Sequence, residues 1–495
     1  MPRIEGLVRY SPQTRQAVLA GCLAIDDPGK RLQACAAALT AKLVTDGFVN
    51  TRVYVVSTAE PGVLEVVDGR LVEVRVEGPD ERLNRRVRRL VRPLVGDVLR
   101  LQELELTLQR LNLLPGLGSV RGSVNRLGSD VSQAVFVLRV KASSRPWQGD
   151  ISLRNDGNSG SGEARAVGTL VKTDLVTRGD TLLLYGELDS SDAPALGSLI
   201  SSISYSLPLA DQLSLTGAFG ASRRNLIELP EPLNGISTTQ LQGLGQLEWV
   251  FRETLSQRWS VFAGLSANGS TTTLDGANLP SILPAVARTP RSGYLRTGVS
   301  SSLIWQRIAA SGTIYLLQGL GFATPADQRQ ELQSVGISPG QATAIGSLIS
   351  GAWNVAPDWQ LLLRGGGQLA FRPLTSPMQF TLGSDVGIRG LPGQLVSGDS
   401  GWLASGEVAW SFWRNKRTIL QLVPFIGAGG VSTSADGLSF NDTVGAGGLL
   451  VRWLQGNHWT TELGWVKAFD TSDNGGPWTS WLLGNGLYAR LQFRF

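Results

Sequence analysis

Most of the chain after residue 146 alternates between apolar and polar side chains, and polar or glycine-rich stretches separate the alternating segments. In one segment, Leu241, Leu247 and Trp249 share a face, while the opposite face carries glutamine and glutamate. A period of two predicts β-strands with one apolar and one polar face. Segments of about ten residues are long enough to cross a bilayer as tilted strands.

The alternating segments predict sixteen strands in residues 143–495. We place their starts near residues 147, 162, 180, 198, 212, 238, 257, 293, 309, 343, 359, 402, 418, 442, 458 and 485. An even number is usual for single-chain bacterial outer-membrane barrels, and a barrel of this size encloses an aqueous lumen. We therefore expect a membrane all-β domain, a 16-stranded antiparallel transmembrane β-barrel.

Aromatic positions favour a lipid environment over the core of a soluble β-sandwich. All 14 tryptophans lie at Trp147 or beyond. Membrane barrels place such rings at headgroup level. Eight fall at or near segment ends: Trp249, Trp305, Trp353, Trp359, Trp402, Trp413, Trp453 and Trp459.

The last predicted strand ends on an aromatic residue. Phe493 and Phe495 lie on its apolar face, and Tyr488 lies on the other. A final strand ending in phenylalanine resembles the signal by which bacterial outer-membrane barrels are recognised for insertion. We assign Tyr488, Phe493 and Phe495 to this signal.

Before residue 145, helical periods alternate with short strand patterns. Two leucine-rich helices are predicted, one from Leu32 to Leu43 and one from Leu101 to Leu111, the second stopping at Pro115 and Gly116. Strand patterns at residues 52–57 and 63–67 follow the first helix, and patterns at 119–124 and 135–140 follow the second. The chain thus predicts two small α+β modules, residues 1–70 (N-terminally short) and 71–142.

Composition and charge limit the partners and the location that the sequence suggests. Charged residues make up 17% of the chain and the net charge is +5, which does not suggest a nucleic-acid partner. A helix near residues 81–91 is rich in arginine, which is more typical of a solvated face beside an anionic membrane than of a binding site. Residues 1–5 begin no signal peptide, so we expect a leader lost by trimming or by a misplaced start.

The two cysteines, Cys22 and Cys35, suit an oxidising compartment. The sequence leaves two arrangements open. They form a disulfide, or they lie as small buried side chains on neighbouring helices.

Catalytic chemistry has few candidate residues. The segment 398–401 looks like a protease nucleophile, but His458 is the only histidine and follows it, so no triad order fits. One histidine and two cysteines also make a zinc site untenable. The glycine runs at 427–430 and 445–448 lie inside strand patterns with no following helix, so they are structural. We expect no enzyme activity, catalytic residue, metal or cofactor.

A glycine-rich connection between strands eleven and twelve contains Ile388, Arg389, Gly390 and Leu391. This tetrad resembles the Val-Arg-Gly-Phe/Tyr motif in the sixth loop of two-partner secretion transporters. Residues 47–54 resemble the first periplasmic POTRA module of that family, and residues 108–116 resemble the helix end of its second. The resemblance implies two POTRA modules in the periplasm and a 16-stranded barrel in the bacterial outer membrane.

In the family, the sixth loop folds into the lumen and its arginine pairs with acidic groups of the inner wall. The loop implied here is 373–401. A guanidinium offers five donors in a rigid fork, so Arg389 can hold the loop by a bidentate contact. The chain departs from the family at Leu391, which replaces an aromatic residue, and at Gly427, which replaces the usual aspartate. We therefore expect Glu407 to pair with Arg389. The family's N-terminal plug helix is not visible ahead of the first module.

The resemblance implies an outer-membrane pore that exports a large exoprotein of adhesin or haemolysin type, unfolded and without ATP. The implied partners are this exoprotein, recruited by the POTRA modules, outer-membrane lipid and lipopolysaccharide, and the machinery that inserts barrels. One alternative is an assembly or import factor of the same superfamily, whose members usually carry more POTRA modules. A passive porin is less favoured, because a simple pore needs no periplasmic receptor.

Overall fold

A computed structural model of the protein describes residues 1–59, 61–112, 117–127, 132–142, 147–177, 179–191, 195–229, 234–435, 438–469 and 476–495. The chain divides into two compact units, Met1–Arg145 and Pro146–Phe495. Over these described ranges, no helix has the length and apolar character needed to cross a membrane.

The first unit begins with a β-α-α-β-β module. Its elements are β1 (Arg3–Glu5), α1 (Pro12–Leu23), α2 (Pro28–Thr45), β2 (Arg52–Ser57) and β3 (Val63–Val67). The sheet has the order β1-β3-β2, with β1 parallel and β2 antiparallel to β3. The apolar stripe of α2 is buried in the same cluster as Leu64 and Val66 of β3, so amphipathic burial explains this helix.

Helices α1 and α2 begin at clear capping residues and are joined by a disulfide. Ser11 and Asp27 accept backbone N–H bonds from the first turns, and a proline follows each cap, where its missing N–H costs nothing. Cys22 of α1 and Cys35 of α2 are bonded, with their Cα atoms 5.2 Å apart. Of the two arrangements that the sequence left open, the structure has the disulfide, and it is buried.

The second module repeats the same element order. It contains β4 (Arg70–Glu77), α3 (Glu81–Val91), α4 (Leu101–Asn112), β5 (Leu117–Arg126) and β6 (Gln133–Ala142), with β6 parallel to β4 and antiparallel to β5. Helix α3 buries Val87, Leu90 and Val91 and exposes arginines on its other face. Pro115 and Gly116 lie outside the described residues. The module limits at 70 and 142, and the barrel start at 143, stay predictions.

The second unit is a closed barrel of sixteen antiparallel strands, which confirms the predicted fold class. The first seven are β7 (Gln148–Arg154), β8 (Ala164–Thr173), β9 (Thr181–Ser190), β10 (Leu196–Pro208), β11 (Leu213–Asn225), β12 (Ile236–Glu253) and β13 (Gln257–Leu274). After a two-residue strand, β14 (Ala277–Asn278), come β15 (Arg291–Ile304), β16 (Ile308–Gly319), β17 (Thr343–Ala356) and β18 (Trp359–Ala370).

Two short strands, β19 (Phe380–Leu382) and β20 (Val396–Gly398), form a separate hairpin. The barrel then continues with β21 (Ser400–Arg414), β22 (Thr418–Ala435), β23 (Leu438–Gln455), β24 (Trp459–Phe469) and β25 (Leu487–Arg494). Strand β25 pairs with β7 from Arg490 opposite Arg154 to Arg494 opposite Asp150, and this seam closes the barrel. The predicted starts lie within four residues of the observed ones, with the largest difference at Leu438.

The eight predicted girdle tryptophans all have exposed side chains on the barrel. Their positions along the strands place seven at the end where the chain enters and leaves the barrel, and Trp402 at the other end. We call these the terminal end and the far end. The terminal end has short turns, whereas the far end carries the long connections, two of which contain α5 (Ala285–Arg288) and α6 (Ala326–Ser334).

The sixth connection at the far end joins β18 to β21 and contains the β19–β20 hairpin. The sequence placed this loop at 373–401. The observed connection is 371–399, because β18 ends at Ala370 and β21 already begins at Ser400. We call it the lumen loop, since its tip contacts inward-facing side chains of the barrel.

Candidate functional site

The tip of the lumen loop is segment 383–395, which joins the two strands of the β19–β20 hairpin. Strands β19 and β20 pair from Phe380 opposite Gly398 to Leu382 opposite Val396. In the segment between them, the N–H of Ile388 donates to the carbonyl of Gly383 at 3.1 Å. Gly387 and Gly390 have φ values of +114° and +90°, a backbone region that glycine adopts without the steric cost that other residues have. A methyl group on Gly390 would overlap Val466 of the wall, so the loop backbone lies directly against β24.

Apolar packing seats the motif against the wall. Ile388 and Leu391 are fully buried in a cluster with Phe425 and Val466. A Cβ atom on Gly427 would lie 3.3 Å from Cγ2 of Ile388. Packing therefore accounts for both departures from the family pattern. Gly427 leaves room for Ile388, and Leu391 fills an apolar site.

Arg389 makes polar contacts with three strands of the wall. Its Nη2 lies 3.2 Å from Oε1 of Glu407 on β21, and its Nη1 lies 2.6 Å from Oε2 of Glu462 on β24. The same Nη1 lies 3.2 Å from the hydroxyl of Tyr488 on β25. The guanidinium also stacks over the rings of Phe425 and Tyr488, at 5.9 and 5.4 Å from their centroids. These are charge-assisted contacts in a largely buried setting, where they are strong.

Two wall arginines contact these carboxylates, Arg452 both of them and Arg490 Glu462 alone. Arg452 on β23 places Nε 2.6 Å from Oε1 of Glu462 and Nη2 3.3 Å from Oε2 of Glu407. Nη1 of Arg490 on β25 lies 4.0 Å from Oε2 of Glu462. We call these five side chains the arginine–glutamate network. It contains three cations and two anions: Arg389, Arg452, Arg490, Glu407 and Glu462.

A second anchor holds the tip to the strands on the other side of the seam. Oδ1 of Asp385 lies 2.7 Å from Nη1 of Arg165 on β8. Nη2 of Arg165 lies 2.7 Å from Oε2 of Glu187 on β9, which fixes its orientation. The N–H of Gln394 also donates to Oδ1 of Asn158, at 3.0 Å. The loop tip is therefore tied to β8 through Asp385 and to β21 and β24 through Arg389.

A cavity of about 330 Å³ lies between the loop and the lumen wall formed by β16, β17 and β18. Ser311, Thr313 and Ser350 supply small hydroxyl groups to its lining. Asp385 and Arg364 also line it. Within the described ranges, no group of histidine, cysteine, aspartate and glutamate side chains is arranged to hold a metal ion.

Of the predicted site residues, the structure brings Arg389 and Glu407 together. Tyr488 lies in the lumen against Arg389, while Phe493 and Phe495 lie on the opposite face of β25. The roles assigned to these residues stay predictions. Sequence reasoning missed Glu462, which is 73 residues from Arg389, together with Arg452, Arg490, Arg165 and Asp385. Strand alternation indicates which side chains face inward, but not which of them meet across strands.

Comparison with known proteins identifies the family of this chain. Residues 133–448 match the model of the haemolysin secretion/activation protein family ShlB/FhaC/HecB. The outer membrane transporter CdiB of Dickeya dadantii (strain 3937) is 24% identical over 358 residues, which cover 71% of this chain. The chain spans about 60% of the length of that curated relative.

Solved structures share the fold. CdiB from Escherichia coli aligns with a TM-score of 0.64 at 16% identity, and CdiB from Acinetobacter baumannii with 0.57 at 16%; each alignment covers 100% of this chain and 89% of the other. BamA from Haemophilus ducreyi lacking POTRA domains 1-3 aligns with a TM-score of 0.50 at 13% identity, covering 98% of both chains. The barrel lies in the outer membrane. Because the family model matches well over half of the chain, the protein belongs to the haemolysin secretion/activation family ShlB/FhaC/HecB.

Proposed function

We propose that the protein exports a large partner exoprotein, of adhesin or haemolysin type, from the periplasm to the cell surface. The observation that carries this proposal is a barrel lumen whose occupying loop is tied to the wall by side-chain ion pairs. Such contacts are reversible, so the loop can be displaced without unfolding the barrel. The name of the Dickeya dadantii relative, an outer membrane transporter, agrees with this function.

The periplasmic modules would receive the exoprotein. Strand β2 lies at the edge of its sheet, and Tyr54 and Val56 are exposed along it. An edge strand offers unpaired backbone N–H and C=O groups, so an unfolded segment can add to it as a further strand. This mode of binding recognises an extended backbone and tolerates many side chains.

The lumen would then conduct the chain in an unfolded state. The hydroxyl groups of Ser311, Thr313 and Ser350 can hydrogen-bond a passing backbone without binding one sign of charge. Transport needs no ATP, because folding of the exoprotein outside the cell makes return unfavourable. The proposal includes no catalysis and no nucleic-acid partner.

The surroundings of the barrel supply further proposed partners. The exposed aromatic girdle fits contact with outer-membrane lipid and lipopolysaccharide. The barrel assembly machinery would read the final strand, where Phe493 and Phe495 face outward. Tyr488 belongs to the same proposed signal, although it also touches Arg389 in the folded protein.

Capture of periplasmic polypeptides tests this function. The purified full-length protein, reconstituted in nanodiscs, is incubated with a periplasmic extract, and bound polypeptides are identified by mass spectrometry. Stable capture of one large exoprotein is expected. Capture of many unrelated barrel precursors would instead support an assembly or import factor, and empty nanodiscs are the control.

A further inference from the structure

The arginine–glutamate network contains one more cation than anion when Arg389 is in place. Without Arg389, the wall retains Arg452 and Arg490 beside Glu407 and Glu462, which are two cations and two anions. Each carboxylate still has an arginine within the contact distances given above. Removal of the loop therefore leaves no unpaired carboxylate in the wall, and an unpaired buried charge is what usually makes such a step costly.

Arg452 is positioned to neutralise both glutamates when Arg389 leaves. It contacts one oxygen of each glutamate, Oε1 of Glu462 and Oε2 of Glu407. Arg389 contacts Oε2 of Glu462 and Oε1 of Glu407. Nη2 of Arg389 also lies 3.3 Å from Oε2 of Glu407, so the two arginines share this oxygen. Both cations therefore bind the same two carboxylates, and each weakens the attraction of these carboxylates for the other.

We infer that Arg452 competes with Arg389 for Glu407 and Glu462, and so sets how readily the lumen loop leaves the wall. Arg452 is a positioning residue, since it acts on the loop through the two glutamates. The inference rests on the proposed function, in which the loop is displaced. If Arg452 only supported the structure, its removal would loosen the loop. Competition predicts the opposite, because the loop should be held more tightly once Arg452 is removed.

The tightening follows from charge balance. Without Arg452, Glu407 and Glu462 would keep Arg490 alone when the loop is displaced, and the wall would carry one net negative charge. Arg389 would then be needed for neutrality, and its attraction to the wall would rise. Loss of one well-formed, partly buried ion pair supports a change of roughly tenfold in the displaced population.

A cysteine under the loop can report displacement. Val466 is 2% exposed and lies directly beneath Gly390. The chain has only two cysteines and they are bonded to each other, so a Val466→Cys thiol is the one group open to a maleimide. Its labelling rate in proteoliposomes is proportional to the fraction of time the loop is away, and even rare displacement accumulates signal.

The experiment compares Val466→Cys alone with Val466→Cys combined with Arg452→Gln, Arg452→Lys or Arg258→Gln. Arg258 is the matched control, an arginine of β13 paired with Glu248 at 3.1 Å and remote from the network. We expect Arg452→Gln to slow labelling about tenfold, Arg452→Lys, which keeps the positive charge, to slow it less, and Arg258→Gln to stay near the parent rate. Heat-modifiable gel migration shows that each barrel is folded.

Equal or faster labelling in folded Arg452→Gln would overturn the inference, as would a parent protein whose thiol is never labelled until it is unfolded in urea. If Arg452→Gln alone does not fold, it is combined with Glu407→Gln, which removes one cation and one anion, and the double variant is compared with Glu407→Gln alone. Competition for Glu462 predicts that the double variant labels more slowly, and an equal or faster rate would contradict it. Labelling is measured without an exoprotein, so this result is separate from the failure of export.

Discussion

Glu462 makes three contacts with arginines and is the most enclosed carboxylate of the network. Its side chain is 2% exposed, whereas that of Glu407 is 11% exposed. It also holds Arg389 at 2.6 Å, compared with 3.2 Å for Glu407. At the scale of single residues, Glu462 is therefore the principal acidic partner of the loop, and Glu407 is the second.

Neutralising either glutamate should loosen the loop, and Glu462 should matter more. We expect Glu462→Gln to raise the frequency of large-conductance openings in planar bilayers about tenfold, and Glu407→Gln to raise it severalfold, because each removes an attractive charge facing Arg389. Single-channel recording measures both. Unchanged conductance in Glu407→Gln would show that its contact with Arg389 does not hold the loop, and Glu248→Gln on another wall is the control.

Asp180 should make the terminal-end turn sensitive to acid. Burial raises the pKa of Asp180, but the N–H groups of Thr177, Val176 and Leu175 and the hydroxyl of Tyr205 outweigh burial, so the pKa is about 2. The unfolded carboxyl has a pKa of about 3.9. Because the folded pKa is the lower one, the stabilisation is present above pH ~4 and is lost as the pH falls through ~2.

This acid dependence is measurable as the barrel melting temperature between pH 2 and pH 6. Asp180→Ala should lower the melting temperature at pH 6 and should flatten its fall below pH 4, because the titrating group is gone. Asp358, in an exposed turn and 3.5 Å from Arg414, provides the control, since Asp358→Ala removes a weak surface pair. Parallel acid curves for the parent and Asp180→Ala would contradict this assignment.

At the scale of residues, the sequence suggested contacts between neighbouring elements but not contacts between strands far apart in the chain. The charge of Arg389 and the nearby acid Glu407 could be proposed from the sequence, because they lie in adjoining elements. Glu462 and Arg165 could not, since the barrel curvature that brings β24 and β8 to one loop leaves no local pattern in the chain. Gly427 was recognised as unusual, but its space for Ile388 appeared only in the structure.

The lumen loop is an element held from two sides, and its Asp385 anchor is the more exposed one. Asp385 has a side chain 29% exposed, and Arg165 retains Glu187 at 2.7 Å without it. We expect Asp385→Asn to cost less barrel stability than Arg165→Gln does, because Arg165 keeps Glu187, and to raise Val466→Cys labelling severalfold.

Arg165→Gln is the informative contrast to Asp385→Asn. It leaves the buried carboxylates of Glu187 and Asp189 without their arginine, and the expected loss of stability is about 3–5 kcal/mol. Urea unfolding followed by gel migration measures both variants. Equal destabilisation by the two substitutions would mean that the contact of Asp385 with Arg165 is needed for barrel stability, so the loop could not release it easily.

The helix pair of the first module depends on its cross-link. The bonded cysteines are separated by 13 residues in sequence, and closing a loop of this length stabilises a domain by about 2–3 kcal/mol. Cys22→Ser with Cys35→Ser should make the first module of the full chain more susceptible to protease in moderate urea, with the barrel fragment unchanged. Identical digestion of the parent and the double variant would contradict this expectation.

Elements were predictable wherever a period was strong. Strand alternation located sixteen strand starts because one face meets lipid and the other meets the lumen, and leucine spacing located α2 and α4. The β19–β20 hairpin was not predicted. Its strands are three residues each and are held by packing inside the barrel, so they carry no alternation of their own.

At the scale of the molecule, fold class was the most predictable property, because composition, strand alternation and the positions of the tryptophans all favour a transmembrane β-barrel. The asymmetry of the girdle was not anticipated. Seven of the eight tryptophans lie at the terminal end. Tryptophan prefers the membrane interface, so this end should be fixed at headgroup depth more firmly than the far end.

Export of a protein through this barrel is the central claim, and comparison of secreted proteins in matched cells tests it most directly. Cells lacking the gene are compared with cells complemented by the parent chain, and proteins in the medium and on the surface are quantified by mass spectrometry. The account predicts that one large exoprotein disappears in the deletion strain, remains unfolded or degraded in the periplasm, and returns on complementation. An unchanged set of surface proteins, or a general loss of outer-membrane barrels, would contradict it.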